Sequence, residues 1–386
     1  MYKRSLVFAA ACLGMLLFGI VMISLGTINT FLTSKFNLDQ LTVGSLAALL
    51  PIGILLGSLF FGPIVDRYSY KNLLIICSFI IFVAFEGIAF ASSFFILQLA
   101  FFLIGFGGGI INGGTNALVA DISSEGKGAN LSLLGVFYGI GALGMPTVTA
   151  LLSKFFPYET IIKGTGLIVL IPVVYFFLVK FPLPKQSQGF PIKKAFELIK
   201  ESSLLLLGFI LFFESGLEGI VNNWSTTYFG KAINLTTNNA LITLTVLAIS
   251  LTITRLILGG LLKKIPSFMV LYVCIFFAVT GSIILLIGKD FVSAIFAMIF
   301  FGIGFAAAFP VILGYIGEIY KNLSGTAFSI ALVIALIGNT LLNYTTGVVS
   351  QTYGIQKFPI IIIISLIIMI ILLSITLRKI STKVKI

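Results

Sequence analysis

The chain has 386 residues, 59% of them hydrophobic and only 9% charged, whereas a soluble domain carries about 25% charged residues, so a water-soluble fold is excluded. Histidine is absent, which removes histidine relays and catalytic dyads. Cys12, Cys77 and Cys274 stand apart in apolar runs without metal or redox spacing, so no enzyme, metal or cofactor is expected, and the net charge of +12 needs a membrane account.

A bilayer core of about 30 Å asks for about 20 apolar residues per helix. Spanning strands would alternate with period two, and runs such as Ile360 to Ile371 do not. The pattern predicts an all-α membrane protein with twelve transmembrane helices at 6–33, 41–63, 72–91, 94–119, 130–152, 161–181, 204–229, 239–262, 267–287, 291–316, 325–350 and 358–377.

Taken in order, the first span follows Lys3-Arg4, is too long for a signal-peptide core, and carries Thr27, Asn29 and Thr30. The second runs into Gly62-Pro-Ile-Val-Asp66-Arg67, with Lys71 close behind. Glu86 in the third falls near the outer headgroups and is given no role. The fourth shows Asn112 and Asn116 on one face and Asp121 at its end. In the fifth, Gly135, Gly139, Gly141, Gly144 and Pro146 permit close packing and bending around Tyr138. A polar segment with Pro182, Pro184 and Pro191 then leads into Lys193-Lys194-Ala-Phe-Glu197-Leu-Ile-Lys200, read as an amphipathic helix on the inner leaflet. It divides the chain into an N-terminal six-helix bundle, 1–181, a cytoplasmic linker, 182–203, and a C-terminal six-helix bundle, 204–386. The seventh span sets Glu214, Glu218 and Asn222 four residues apart on one stripe, with Trp224 beyond. Arg255 lies inside the eighth and Lys263-Lys264 follow it; Glu318 ends the tenth; Asn339 and Asn343 share a face of the eleventh.

An even number of spans puts both ends on one side. Counted along the sequence, 17 Lys and Arg fall at the termini and even-numbered loops, against 6 in the other loops. That bias places both termini in the cytoplasm. The charge is therefore a topology signal and a contact for anionic lipid, not a nucleic-acid footprint. A high content of Ile, Phe and Lys points to an AT-rich prokaryotic genome, hence the inner membrane; a monomer is expected.

Sliding the second half onto the first by 197 residues superposes Gly62 on Gly259, Gly105 on Gly302, Asp121 on Glu318 and Gly141 on Gly338. Parallel six-span repeats of this kind place a substrate site near the bilayer midplane and work by alternating access.

Ionised acids inside a span cost several kcal/mol unless paired or wet, so Glu214 and Glu218 are expected to face a cavity. Two carboxylates a turn apart repel, and one of them is expected to hold a proton. Such a group can carry H⁺ or ligate Na⁺; a static pair satisfied by lysine or backbone is the alternative. Arg255 either pairs with a carboxylate or snorkels to the headgroups. The amides Asn29, Asn112, Asn116, Asn222, Asn339 and Asn343 and the carboxyls Glu214 and Glu218, with Tyr138 and Trp224, suit a sugar's hydroxyls and C–H face; the amides otherwise join helices. Asp66, Arg67, Asp121, Lys263, Lys264 and Glu318 read as a gate, Arg67 pairing with Asp121 and Lys263 or Lys264 with Glu318; solvated anchoring is the alternative.

The run Gly62 to Lys71 resembles the signature loop of the major facilitator superfamily: a glycine, then Asp66-Arg67, then a basic residue. The second-half copy has Lys263-Lys264 instead. Asn116-Ala-Leu-Val-Ala-Asp121, Asn130 to Pro146, and Gly216-Leu-Glu218 to Trp224 with Thr227-Tyr228-Phe229 are similar to spans 4, 5 and 7 of the fucose/glucose–proton symporter group. Glu218 matches that pattern and Glu214 does not, which favours Glu218 for ion coupling. The group often has histidine near Leu133 and a carboxylate where Asn29 stands, and this chain has neither. The resemblance implies a secondary transporter of a sugar or similar small polar solute, coupled to H⁺ or Na⁺. A proton-coupled drug or metabolite exporter of the same fold is the alternative, since the glycines and Pro146 also resemble the antiporter motif of drug exporters. A non-transporting receptor is the remote one.

Overall fold

A computed structural model describes residues 2–38, 40–183 and 192–380 of the chain. With no water in hydrocarbon, every backbone N–H and C=O must be satisfied internally. Among the described residues the regular structure is accordingly helical, with no strand, and twelve stretches are long and apolar enough to cross a bilayer. The chain is an integral, multi-pass membrane protein.

The first six spans are α1 (Arg4–Phe36), α2 (Gln40–Tyr68), α3 (Tyr70–Ala89), α4 (Phe94–Ile122), α5 (Lys127–Leu152) and α6 (Tyr158–Leu178). A short α7 (Ile192–Ile199) precedes α8 (Ser202–Ala232), α9 (Thr237–Leu261), α10 (Ser267–Ile287), α11 (Phe291–Phe305), α12 (Ala308–Ile319), α13 (Ser324–Tyr353) and α14 (Phe358–Ile380). α7 falls where the sequence predicts an amphipathic helix, and Phe196 and Ile199 are exposed on it. The expected linker residues 184–191, the side chains of Lys193 and Lys194, and the C-terminal lysines after Ile380 lie outside the described residues.

The tenth span, predicted as one helix, is two. The chain leaves helical register at Ala306 and Ala307, between α11 and α12. Pro310 is the cause: it has no N–H to donate, and its ring crowds the carbonyl four residues back, that of Ala306. α11 is started by a reciprocal cap, in which the Ser293 N–H donates to Asp290 Oδ1 at 2.7 Å and the Ser293 hydroxyl answers the Asp290 backbone N–H. Those donors, the Ser293 backbone N–H foremost, hold the Asp290 carboxyl below its ordinary range.

The chain forms two compact units. One comprises Met1–Ile122, Phe137–Ala195 and Asn322–Ser329; the other Ser123–Val136, Phe196–Lys321 and Ile330–Ile386. Each unit therefore includes a short helix start from the other half of the sequence: that of α13 in the first, that of α5 in the second.

The 197-residue offset organises both. It carries the start of α3 onto that of α10, α4 onto α11 and α5 onto α13, without a gap. It also carries contacts. In the first unit Ser329 Oγ donates to the carbonyl of Ser58; in the second Ser132 Oγ donates to that of Arg255, at 2.7 Å. Gly19 and Gly141 mark where α1 and α5 cross backbone to backbone, and the offset places Gly216 and Gly338 at the crossing of α8 and α13.

At Gly141 a Cβ would stand 2.1 Å from the Leu16 carbonyl oxygen, whereas at Gly144, one turn on, it would meet nothing within 4 Å. Gly141→Val is therefore expected to force the helices apart at a cost of about 3 kcal/mol and to abolish the yield of monodisperse protein in detergent. Gly144→Val should leave it near wild type. Equal yields from the two variants would show that the crossing is not this tight.

Candidate functional site

In the first unit the signature-loop acid finds a helix end. The N-terminus of α13 presents backbone N–H groups with no partner in their own helix. Asp66, almost completely buried, accepts from the N–H of Gly325 (3.2 Å), the N–H of Thr326 (2.9 Å) and the Thr326 hydroxyl (2.7 Å). A carboxylate at a helix N-terminus is favoured both by these bonds and by the helix dipole. Asp121 takes the neighbouring position, accepting from the Ser324 hydroxyl at 2.7 Å and from the Tyr70 hydroxyl. Gly62 makes the approach possible, since a Cβ there would lie 2.5 Å from the Gly325 carbonyl oxygen. Arg67 lies over the Tyr68 ring, 5.5 Å from its centroid.

In the second unit the stripe of α8 meets α9. Arg255, 8% exposed, places Nη2 3.6 Å from Glu218 Oε2. This is the pairing with a carboxylate that the sequence offered for Arg255. Glu214 stands one turn away, fully buried, and neither of its carboxyl oxygens has a hydrogen-bond partner among the described residues. Arg255 Nε is likewise buried and unpartnered. A buried carboxylate without partners costs several kcal/mol, so an ionised Glu214 would be the costliest group of the cluster.

From this cluster an amide chain runs along α13. The Asn339 amide donates to the Ser215 carbonyl (2.8 Å), and the Asn343 amide donates to Asn339 at both its carbonyl (2.9 Å) and its side-chain oxygen (3.1 Å). The Asn343 side-chain oxygen accepts from Asn223 Nδ2 (3.0 Å) and from the Trp224 indole N–H (3.2 Å). The chain is directional and joins α8 to α13. Gly219 makes room for it, because a Cβ there would lie 2.4 Å from Asn339 Nδ2.

The remaining expected residues sit as follows. Asn116 spends its amide on the Asn112 carbonyl (2.8 Å) and side-chain oxygen (3.0 Å) of its own helix. Tyr138 lies tilted against Phe18, ring centroids 5.7 Å apart. Asn222 is exposed and returns its amide to the Glu218 carbonyl at 2.9 Å; its neighbour Asn223, passed over by the stripe, makes the interhelical bond. Asn29 lies in α1, and its side chain is outside the described residues. The charges of Lys127 and Lys321 bear on Glu318. α5 begins beside α12: Gly128 approaches Val311 and Gly314 closely enough for a Cβ to touch. Lys263 lies beside Gly126, before the start of α5. Sequence reasoning missed Ser324, Thr326 and Tyr70 around the acids. Only the offset held a signal, since it pairs the starts of α5 and α13.

Comparison with known proteins agrees with this architecture. The sequence profile of the Major Facilitator Superfamily matches residues 8–342. The chain is 25% identical over 349 residues to the glucose/mannose transporter GlcP of Bacillus subtilis (strain 168), covering 85% of this chain and 84% of that one. It is 27% identical over 152 residues, 39% of this chain and 37% of the other, to a multi-drug resistance efflux pump PmrA homolog of Lactococcus lactis subsp. lactis (strain IL1403). Among solved structures, the E. coli fucose:proton symporter FucP superposes with a TM-score of 0.79 at 18% identity, over 96% of this chain and 98% of that one. The proton:xylose symporter XylE does so with 0.77 at 15% identity, over 95% of each. At such identities the likeness of structure is one of fold.

The ion pair makes a testable demand. Removing one member of a buried pair leaves the other uncompensated, at about 3–5 kcal/mol. Arg255→Met alone should therefore lower the thermal unfolding midpoint in detergent markedly, and adding Glu218→Gln should restore much of the loss. Strictly additive effects in that double-mutant cycle would show that the two side chains do not interact.

Proposed function

Since the chain belongs to the major facilitator superfamily, we propose that it is a sugar–proton symporter working by alternating access, with Glu218 as its coupling group. The observation that carries this is the Glu214–Glu218–Arg255 cluster, in which Arg255 pairs with Glu218 and the buried Glu214 carboxyl stands one turn away with no hydrogen-bond partner among the described residues. Titrating groups inside a span mark ion pathways. A proton arriving at Glu218 would release Arg255, and one leaving would recapture it. Both the cation and its partner would thus change state within the transport cycle. Glu214, one turn away, is the reserve acid.

The solute side rests on Asn339, Asn343 and Trp224, with Asn112, Asn116, Asn222, Tyr138 and Asn29 as further candidates. Amides suit hydroxyl groups and an indole face suits a pyranose C–H face. Similarity to a glucose/mannose transporter over most of both chains supports a hexose. The fold shared with fucose and xylose symporters supports H⁺ over Na⁺. Asp66, Arg67, Asp121, Lys263, Lys264 and Glu318 serve as the gate in this reading. The moving bodies are the halves 1–181 and 204–386, joined by 182–203. The charge bias supports cytoplasmic termini in the inner membrane of a prokaryote, anionic lipid on that face, and a monomer as the working unit.

Export of a drug or metabolite is the second reading, favoured by the partial match to an efflux pump. Flux direction separates the two. In proteoliposomes, an inward proton gradient should drive accumulation of D-glucose or D-mannose; 100 mV is worth about 2.3 kcal/mol per charge, enough for roughly fiftyfold accumulation. Glu218→Gln should abolish accumulation and keep solute exchange. Normal accumulation by that variant would remove Glu218 from the coupling step, and a sodium gradient succeeding where a proton gradient fails would replace the ion.

A further inference from the structure

Beyond the amide chain, α8, α13 and the connection to α14 line an open recess of about 790 Å³, all of it within the second unit. Trp224 gives its indole N–H to Asn343, so its polar edge is satisfied and its ring remains as surface. Gly347 lies against that ring: a Cβ there would touch Trp224 Cζ2 at 3.4 Å. A side chain at this position would therefore fill space that the glycine leaves open. Tyr344 supplies a second, largely exposed ring. Gln351 and Gln356 bring amides to the wall, and the Ser350 hydroxyl is buried with no hydrogen-bond partner among the described residues. Among the described residues the lining carries Lys231 and no carboxylate.

This is an open, mainly apolar recess with a few convergent hydrogen-bonding groups, a form that suits a small-molecule site. Two aromatic faces with neutral amides suit a polyhydroxylated ring. The absence of an acid gives an organic cation nothing to pair with. The recess is also set apart from the charged cluster. Trp224 lies six residues beyond Glu218 and ten beyond Glu214, or about 9 and 15 Å along the helix axis. In the orientation proposed above, this end of α8 and the α13–α14 connection face the outside.

We propose that this recess is the outer end of the solute path, an entrance site that captures a pyranose before it reaches the charged cluster. The inference rests on the sugar reading of the function. The Asn343–Asn339 chain runs from this recess toward Ser215, so a ring held against Trp224 stands at one end of a row of amides and the cluster at the other.

Trp224 is the chain's one tryptophan, so intrinsic fluorescence reports on the site directly. Purified protein titrated with D-glucose should show a saturable change in emission. Gly347→Leu fills the recess while leaving the fluorophore in place, and should weaken the apparent affinity by about tenfold or more, the loss expected when a ring contact and its hydrogen bonds go. Transport by that variant should keep its maximal rate with a raised KM. Should Gly347→Leu not fold, Gln351→Ala and Ser350→Ala make the same comparison with smaller side chains and should also weaken the response. A wild-type titration curve from folded recess variants, or transport without any change in emission, would overturn the entrance site and leave the symport reading standing. Binding without gradient-driven accumulation would do the reverse, because the titration needs no transport.

Discussion

A charge in hydrocarbon is costly without a partner, and the contacts of Asp66, Asp121 and Glu218 follow from that constraint. Only 9% of the residues are charged, and these three acids are held by specific devices, whereas Glu214 has no hydrogen-bond partner among the described residues. Asp66 is held by the backbone donors at the start of α13, Asp121 by two hydroxyls, Glu218 by Arg255. Each device joins one helix to another. Lipid offers little hydrophobic drive for helix association, so these polar contacts and the close glycine crossings carry what specific packing there is.

The Asp66 contact shows how economical the solution is. A helix entering a membrane leaves N–H groups unpaired at its first turn, and a carboxylate in a span lacks solvation. Bringing the two together removes both costs at once. The arrangement needs a helix start within reach and no side chain in the way, which is why Gly62 and Gly325 face each other there. It also explains why the first turn of α13 belongs to the first compact unit although the rest of that helix belongs to the second.

Much of this was legible in the sequence. Span number, span positions and the 197-residue repeat follow from hydropathy and glycine spacing, because both are properties of single helices. The pairing of Arg255 with a carboxylate was foreseeable on cost alone. The partners of Asp66 and Asp121 were not: a backbone N–H has no residue identity, and Ser324 and Tyr70 look like any hydroxyls in a span. The stripe argument chose Asn222 where Asn223 makes the interhelical bond, since four-residue spacing finds one face and cannot say which neighbour another helix will approach. The break in the tenth span was signalled by Pro310, yet proline is tolerated inside α2, α5 and α6, so its presence alone does not locate a break.

The repeat gives the two halves one fold and lets their differences be read position by position. Asp66 corresponds to Lys263, so the second half lacks the acid that caps a helix start in the first. Ser58 corresponds to Arg255, and both offer their carbonyl to the equivalent serine, Ser329 and Ser132. Only Arg255 adds a charged side chain there. Glu214 and Glu218 correspond to Leu17 and Val21, which are buried apolar residues in α1. The same backbone scaffold thus holds an apolar core in one half and a buried acid–base cluster in the other. Stability would be served by the apolar version in both places, since replacing a buried ion pair with packed hydrophobic side chains is often neutral or stabilising. On the proposed symport reading, retaining two acids and a guanidinium where the first half has apolar residues is the cost of a group that can change its charge, and it is why the coupling step is placed in the second half.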